Sequence, residues 1–250
     1  MVPQLSYTIW FSQRTGSSLL CKALESTGVA GKPNEWLIHK PDLLEDYNQA
    51  THTELQEHLW TIGSTSNREL ELKHSLYEPH FSRIIQTLRN FPNCPPGEHN
   101  RTAIWENAFP NHRHIFMTRR NKVRLAVSWW KAIQTQEWHR LHNEASKPVD
   151  LTDAYSFDAI HHLYCECSMR EAGIQEFFSE GNIVPLTIVY EDFVQEYEKT
   201  VRKILEFLEL NAAALEISQP QLVPTADDIS EQWVQRFRTE RQKDWKNQGW

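Results

Sequence analysis

Arg14, Thr15, Gly16, Ser17 and Ser18 put a permanent cation, three hydroxyls and a glycine into five consecutive positions. Those groups make an anion seat: donors converge, and the glycine lets the backbone approach. Arg120 and Ser128 bring a second cation and hydroxyl, eight positions or slightly more than two helical turns apart. Two such pairs suit a ligand with two separated phosphates. Glu35 is an acid beside Trp36, at the end of a glycine- and proline-bearing loop. Lys73 is a further cation, Trp129 and Trp138 are faces on which a sugar ring can stack, and Arg236 and Arg238 sit in a basic tail.

Every one of these groups also has a plainer use. The run from Ser12 to Ser18 serves equally as an ordinary strand-to-helix connection, and it is no Walker loop. That pattern, GxxxxGK followed by Ser or Thr, needs two glycines and a lysine, where this run has Gly16 alone and no lysine. Arg120 fits a solvated charge, Ser128 a small packing residue and Glu35 a surface acid. Trp130 belongs with the apolar face of its helix, whereas Trp129 and Trp138 stay open. Arg236 and Arg238 fit a solvated basic helix nearly as well. His161, His162, Cys165 and Cys167 invite a metal reading. Zinc sites usually show wider paired ligand spacing, and cysteine is often a small buried hydrophobe, so no metal is expected.

The elements that must position these residues follow from the apolar pattern. Tyr7 to Phe11 read as a buried strand, and Leu19, Leu20, Ala23 and Leu24 as a helix that stops at Gly28. Helical spacing recurs in 42–60, 81–88, 122–141 and 157–178, after Asp192 and from Ser230. Short strands are expected at 70–75, 114–118 and 183–190, with Pro185 near the start of the last. Strands alternating with helices predict an α/β fold with a mostly parallel central sheet flanked by helices, which binds ligands at the carboxyl ends of its strands. Both Arg14 and Arg120 would stand there.

Bulk properties set limits. The 250 residues suit a single domain over 1–250, and 40% hydrophobic with 24% charged residues is ordinary for a globular protein. A net charge of −7 argues against a general nucleic-acid surface. Four cysteines make no disulfide framework at this length. No run approaches a membrane span and no N-terminal stretch reads as a signal peptide, so the expected location is the cytoplasm.

SQRTGSSLL, after the first strand, resembles the 5′-phosphosulfate loop of sulfotransferases that use 3′-phosphoadenosine 5′-phosphosulfate (PAPS). RRNKVRLAVSWW resembles their 3′-phosphate motif, and VYEDFVQEYEKTVRKILEFLEL a strand–helix segment of the same superfamily. More narrowly, GVAGKPNEW, AVSWWKAIQTQEWHR and SEQWVQRFR are similar to the bacterial trehalose 2-sulfotransferase family. The matches run in order from about residue 5 to residue 240. The resemblance implies a P-loop-like sulfotransferase fold and no metal. It implies that Arg14, Thr15, Gly16, Ser17 and Ser18 hold the 5′-phosphate and the sulfo group. Arginine cannot surrender a proton at working pH, so Arg14 stabilises charge. Arg120 and Ser128 would hold the 3′-phosphate, Glu35 would be the general base, and Arg236 and Arg238 would close over the nucleotide. Trp36, Lys73, Trp129 and Trp138 would lie on the acceptor side, which is helical within about 36–112. Residues 40–112 depart from the family pattern, so the hydroxyl acceptor (carbohydrate, glycolipid or small metabolite) stays open. A homodimer is also implied. The competing readings are a P-loop-like nucleotide kinase, requiring magnesium and ATP, and a non-catalytic nucleotide-binding relative.

Overall fold

Strand β1 (Leu5–Phe11) is buried along nearly its whole length, and its alternating side chains define two layers. Tyr7, Ile9 and Phe11 enter one core with Ile115, Met117 and Ile188. Trp10 points the opposite way, into a core with Leu70, Leu72 and Phe116. A strand apolar on both faces belongs at the centre of a covered parallel sheet. The computed structural model, which describes residues 2–37, 51–65, 67–146, 148–211 and 215–250, places it there.

The order is β2 (Glu69–His74), β1, β3 (His112–Thr118), β4 (Leu186–Val189), all parallel. Ile9 is paired with Lys73 on one side and Ile115 on the other. Helix α1 (Ser17–Ser26) follows β1; α2 (His52–Gly63), α3 (His80–Leu88) and α4 (Arg101–Ala108) lie between β1 and β3 in the chain; α5 (Lys122–Thr135) and α6 (Phe157–Glu180) follow β3; α7 (Tyr190–Gln195), α8 (Tyr197–Phe207) and α9 (Asp228–Arg241) follow β4. The chain leaves β1 toward β2 and returns past it to β3, so the strand order reverses beside β1. Open parallel sheets bind ligands in the crevice at such a point.

Trp10 and Trp105 are fully buried, with ring centroids 4.8 Å apart. Trp10 Nε1 donates to His114 Nδ1 at 2.9 Å and Trp105 Nε1 to Thr8 Oγ1 at 3.2 Å, so neither indole leaves a polar atom stranded. Truncating either to alanine would cost about 3–5 kcal/mol. A third core joins α5, α6 and α9 through Val123, Val127, Trp129, Cys167, Trp233 and Phe237.

Four sequence expectations are adjusted. The last strand is only Leu186–Val189, because Pro185 has no N–H for the ladder and Tyr190 already opens α7. Helix α5 stops at Thr135, where Gln136 takes a left-handed φ of 55°. Trp129, not Trp130, is the deeply buried member of its pair. Helix α4, which follows directly on the proline-rich break at 92–100, was not expected. Its start is set by Asn100, whose side chain accepts from Ala103 N–H. Of the helix expected over 42–60, residues 42–50 lie outside the described residues.

Candidate active site

The carboxyl ends of β1, β3 and β4 open onto a cavity of about 680 Å³. From the first turn it is lined by Arg14, Gly16, Ser17 and Ser18; from the second turn and α5 by Arg119, Ser128 and Lys131; and from later segments by Trp138, His139, Tyr190 and Thr225. Its cationic and hydroxyl side is matched by an apolar one that includes Val127, Val194, Tyr197 and Val234.

The first turn is tightly determined. Thr15 Oγ1 donates to Ser12 O at 2.8 Å, so this buried hydroxyl closes the turn instead of facing the cavity. Gly16 has a φ of 89° and caps α1 without a side-chain hydrogen bond. The first-turn N–H groups of that helix therefore keep their positive end toward the cavity. A Cβ on Gly16 would come within 2.4 Å of Tyr190 Cδ2, so a side chain is excluded by space as well as by φ. Arg14 is itself left-handed, with a φ of 64°. Its Nε donates to Ser128 Oγ at 3.1 Å, its Nη2 to Thr225 Oγ1 at 3.3 Å and its Nη1 to the Trp138 carbonyl. Burial, then the charge of Arg119, lowers its pKa.

The second turn places its two arginines differently from the expectation that Arg120 would stand at the site. Arg119 lines the cavity and Arg120 does not. The Arg119 guanidinium stands 4.6 Å from the Tyr190 ring centre, and its buried Nε has no hydrogen-bond partner; Glu191 Oε1 is 3.7 Å away. Arg120 turns outward and grips Asp192 with two bonds of 2.7 and 2.5 Å. Arg238 lines a separate cavity of about 320 Å³ with Arg120, Lys122 and Trp250, while Arg236 bonds Glu240 Oε1 at 2.8 Å and covers Tyr155. Neither tail arginine reaches the larger cavity. For Arg119 and Arg120 the physical reason is register. β3 ends at Thr118, so the next side chain turns in and the one after it out.

Glu35 and Lys73 meet because the loop 28–35 lies against β2. Lys73 N–H donates to Asn34 O at 2.9 Å, and the Lys32 N–H donates to Glu71 Oε2. Burial pushes the Glu71 carboxyl up to about 9. Lys73 Nζ then lies 2.9 Å from Glu35 Oε1, 3.2 Å from Ser18 Oγ and 4.5 Å from the Phe11 ring centre. Ser18 Oγ is also 3.4 Å from His139 Nε2, so Glu35 connects to the cavity wall through Lys73 and Ser18. Partial burial, Arg14 and Lys73 pull the His139 pKa below the usual imidazole value. Trp36 packs against the core that holds Trp10. Trp129 is buried with the Arg170 guanidinium 5.5 Å from its ring, which takes it off the sugar-stacking surface; Trp138 is 40% exposed at the cavity.

His161 Nε2 and Cys165 Sγ are 3.7 Å apart, but among the described residues no three His, Cys, Asp or Glu side chains cluster to hold a metal ion. No described helix is long and apolar enough to cross a membrane. Sequence reasoning missed Arg119, Lys131, His139 and Tyr190.

Residues 6–240 match the family model for Stf0 sulphotransferase. Two trehalose 2-sulfotransferases are each 27% identical: that of Mycolicibacterium smegmatis with 96% of both chains covered, and that of Mycobacterium tuberculosis with 94% of both. A sulfotransferase from Alicyclobacillus acidocaldarius superposes with a TM-score of 0.51 at 11% identity, covering 97% of this chain and 96% of its own, which supports the fold. With a parallel sheet and a glycine turn opening onto a cavity at its strand ends, this chain belongs to the Stf0 sulphotransferase family and is a sulfotransferase.

Proposed function

We propose that the protein moves a sulfo group from PAPS to a hydroxyl of a carbohydrate, glycolipid or small metabolite. The carrying observation is that one cavity collects the uncapped start of α1 and Arg119, whose buried Nε makes no hydrogen bond and has only Glu191, at 3.7 Å, as an ion-pair partner. A desolvated guanidinium nitrogen without a hydrogen bond is costly unless an anion moves in to accept one. Two anion-binding points beside an apolar wall fit an adenine nucleotide with separated phosphates, and the trehalose 2-sulfotransferase relatives favour a carbohydrate acceptor.

PAPS supplies an activated sulfo group when bound, and the protein's part is positioning and charge. The backbone of Gly16, Ser17 and Ser18 serves the 5′ end. Arg14 adds charge from a fixed position, each of its three nitrogens donating to a protein oxygen. Ser128 Oγ accepts from Arg14 and keeps its own hydrogen for the 3′-phosphate, where we place Arg119 in the role expected of Arg120. Glu35 takes the acceptor hydroxyl's proton, held in place by Lys73. Trp138, at the cavity edge, offers a face to the acceptor. We extend the proposal to one catalytic domain over 1–250 with its acceptor side within about 36–112, acting in the cytoplasm as a homodimer without a metal.

The test is incubation with PAPS and a panel of saccharides and other hydroxyl compounds, scored by a mass gain of one sulfo group. Transfer to a sugar hydroxyl supports the proposal. Failure on every acceptor, together with ATP-dependent phosphorylation of any of them, overturns it.

A further inference from the structure

Glu171 of α6 lies outside the cavity lining, yet it binds both turns that build the cavity. Ser12 Oγ, at the end of β1, donates to Glu171 Oε1 at 2.9 Å. Thr118 Oγ1, the last residue of β3, donates to Oε2 at 2.9 Å, and Lys122 Nζ, the first residue of α5, donates to the same oxygen at 2.6 Å. Lys122 Nζ also reaches Thr118 Oγ1 at 2.9 Å. The side chain is only 12% exposed, so its charge has left water and is compensated by these three donors.

The place of these donors in the fold gives the carboxylate its importance. Phe11 and Met117 are the last paired residues of β1 and β3, so Ser12 and Thr118 stand at the fork where the two chains part. Two residues past Ser12 is Arg14, and the residue after Thr118 is Arg119. One carboxylate between the branches, with a separate oxygen toward each, fixes how far apart they start. The anion seat at α1 and the cation at Arg119 inherit that separation.

We propose that Glu171 is a positioning residue that sets the distance between the two anion-binding turns, and so selects ligands whose two anionic groups match it. The inference rests on the reading of the cavity as a two-phosphate site. A ligand that engages both turns depends on their separation, while one that engages a single turn does not. Glu171→Gln keeps the shape but has one acceptor oxygen where the carboxylate has two, so whichever way the amide turns, its N–H₂ faces one branch and the tie between the two turns is released.

Calorimetric titration of the wild type and Glu171→Gln with adenosine 3′,5′-bisphosphate, adenosine 5′-phosphate and adenosine 3′-phosphate tests it. We expect the bisphosphate to lose roughly tenfold and each monophosphate less than about twofold, since loss of a hydrogen bond to a charged group is worth about one decade. An equal loss for all three, or no loss, overturns the proposal. Should the glutamine variant not fold, Ser12→Ala, Thr118→Val and their double variant replace it. Losses for the bisphosphate that are non-additive support a shared restraint, and simple additivity overturns it. Amide exchange of the ligand-free protein separates this from the donor reading. Faster exchange in both 12–18 and 119–121 in Glu171→Gln supports the restraint even if the wild type shows no preference for the bisphosphate, a result that would defeat the donor reading alone. Exchange unchanged in either turn overturns the restraint.

Discussion

Arg14, in the turn after β1, spends its guanidinium on Ser128, Trp138 and Thr225, whereas Arg119, in the turn after β3, stacks on Tyr190 and leaves Nε without a hydrogen bond. Both arginines are half-buried beside one cavity and both lie just beyond the end of a parallel strand. Their difference is one of commitment. Each of the three nitrogens of Arg14 already donates to a protein oxygen, so it braces the cavity wall and contributes charge from a fixed position. Arg119 has given up water without full replacement, which is the condition under which an arriving anion gains most. Tyr190 joins the two, since its ring lies under Arg119 and also occupies the space that a side chain at position 16 would need.

Substitutions can break this contrast or sharpen it. The largest effect is expected from Glu35→Gln, which leaves both turns intact: kcat should fall by roughly 10²–10⁴-fold, with bisphosphate affinity unchanged in a parallel titration. A matching loss of nucleotide affinity would place Glu35 in the anion site instead. Next, Arg119→Ala should weaken the bisphosphate by roughly 10–100-fold. Arg120→Ala, which removes only an exposed ion pair with Asp192, should change it less than about threefold. Equal effects at 119 and 120 would contradict the inward and outward assignment.

Gly16→Ala tests the link through Tyr190. The substitution demands a left-handed φ and a 2.4 Å contact, so urea unfolding should show a loss of about 1–3 kcal/mol. Bisphosphate affinity should fall with it; a variant as stable as the wild type would show that the turn has slack. The smallest effect concerns Glu71, which holds the loop carrying Glu35. Its folded pKa is raised to about 9, so between the ordinary carboxylate range and that value the folded state holds a proton the unfolded state has lost. Stability therefore falls as pH rises through this window. Glu71→Gln should flatten the slope of unfolding free energy against pH, and parallel slopes would contradict a protonated buried Glu71.

What the sequence made legible depended on whether neighbours in the chain were enough. The run YTIWF gives a buried strand by composition alone, and Gly16 after Arg14 and Thr15 gives a tight turn that exposes a helix start. The choice between Arg119 and Arg120 hung on a single-residue end of β3, which is fixed by pairing with β1 and β4. Trp129 stayed open for a related reason: its burial depends on α6 and α9 packing against α5, while Trp130, read as a packing residue, lies partly buried against the same core. The Glu35–Lys73 pair was out of reach, because it follows from the loop at Asn34 lying along β2 beside Leu72. Glu171 gave no signal either. Its partners are far away in the chain and come together only at the fork between two strands.

The central claim is that this cavity takes a nucleotide through two separated anionic groups. Thermal unfolding of the wild type with adenosine 3′,5′-bisphosphate, ADP and ATP at equal concentration tests it most directly, because a ligand bound only by the folded state must raise the midpoint. The bisphosphate should raise it clearly more than either of the others. Equal rises for all three, or none for the bisphosphate, would contradict a site built for a 3′-phosphorylated donor.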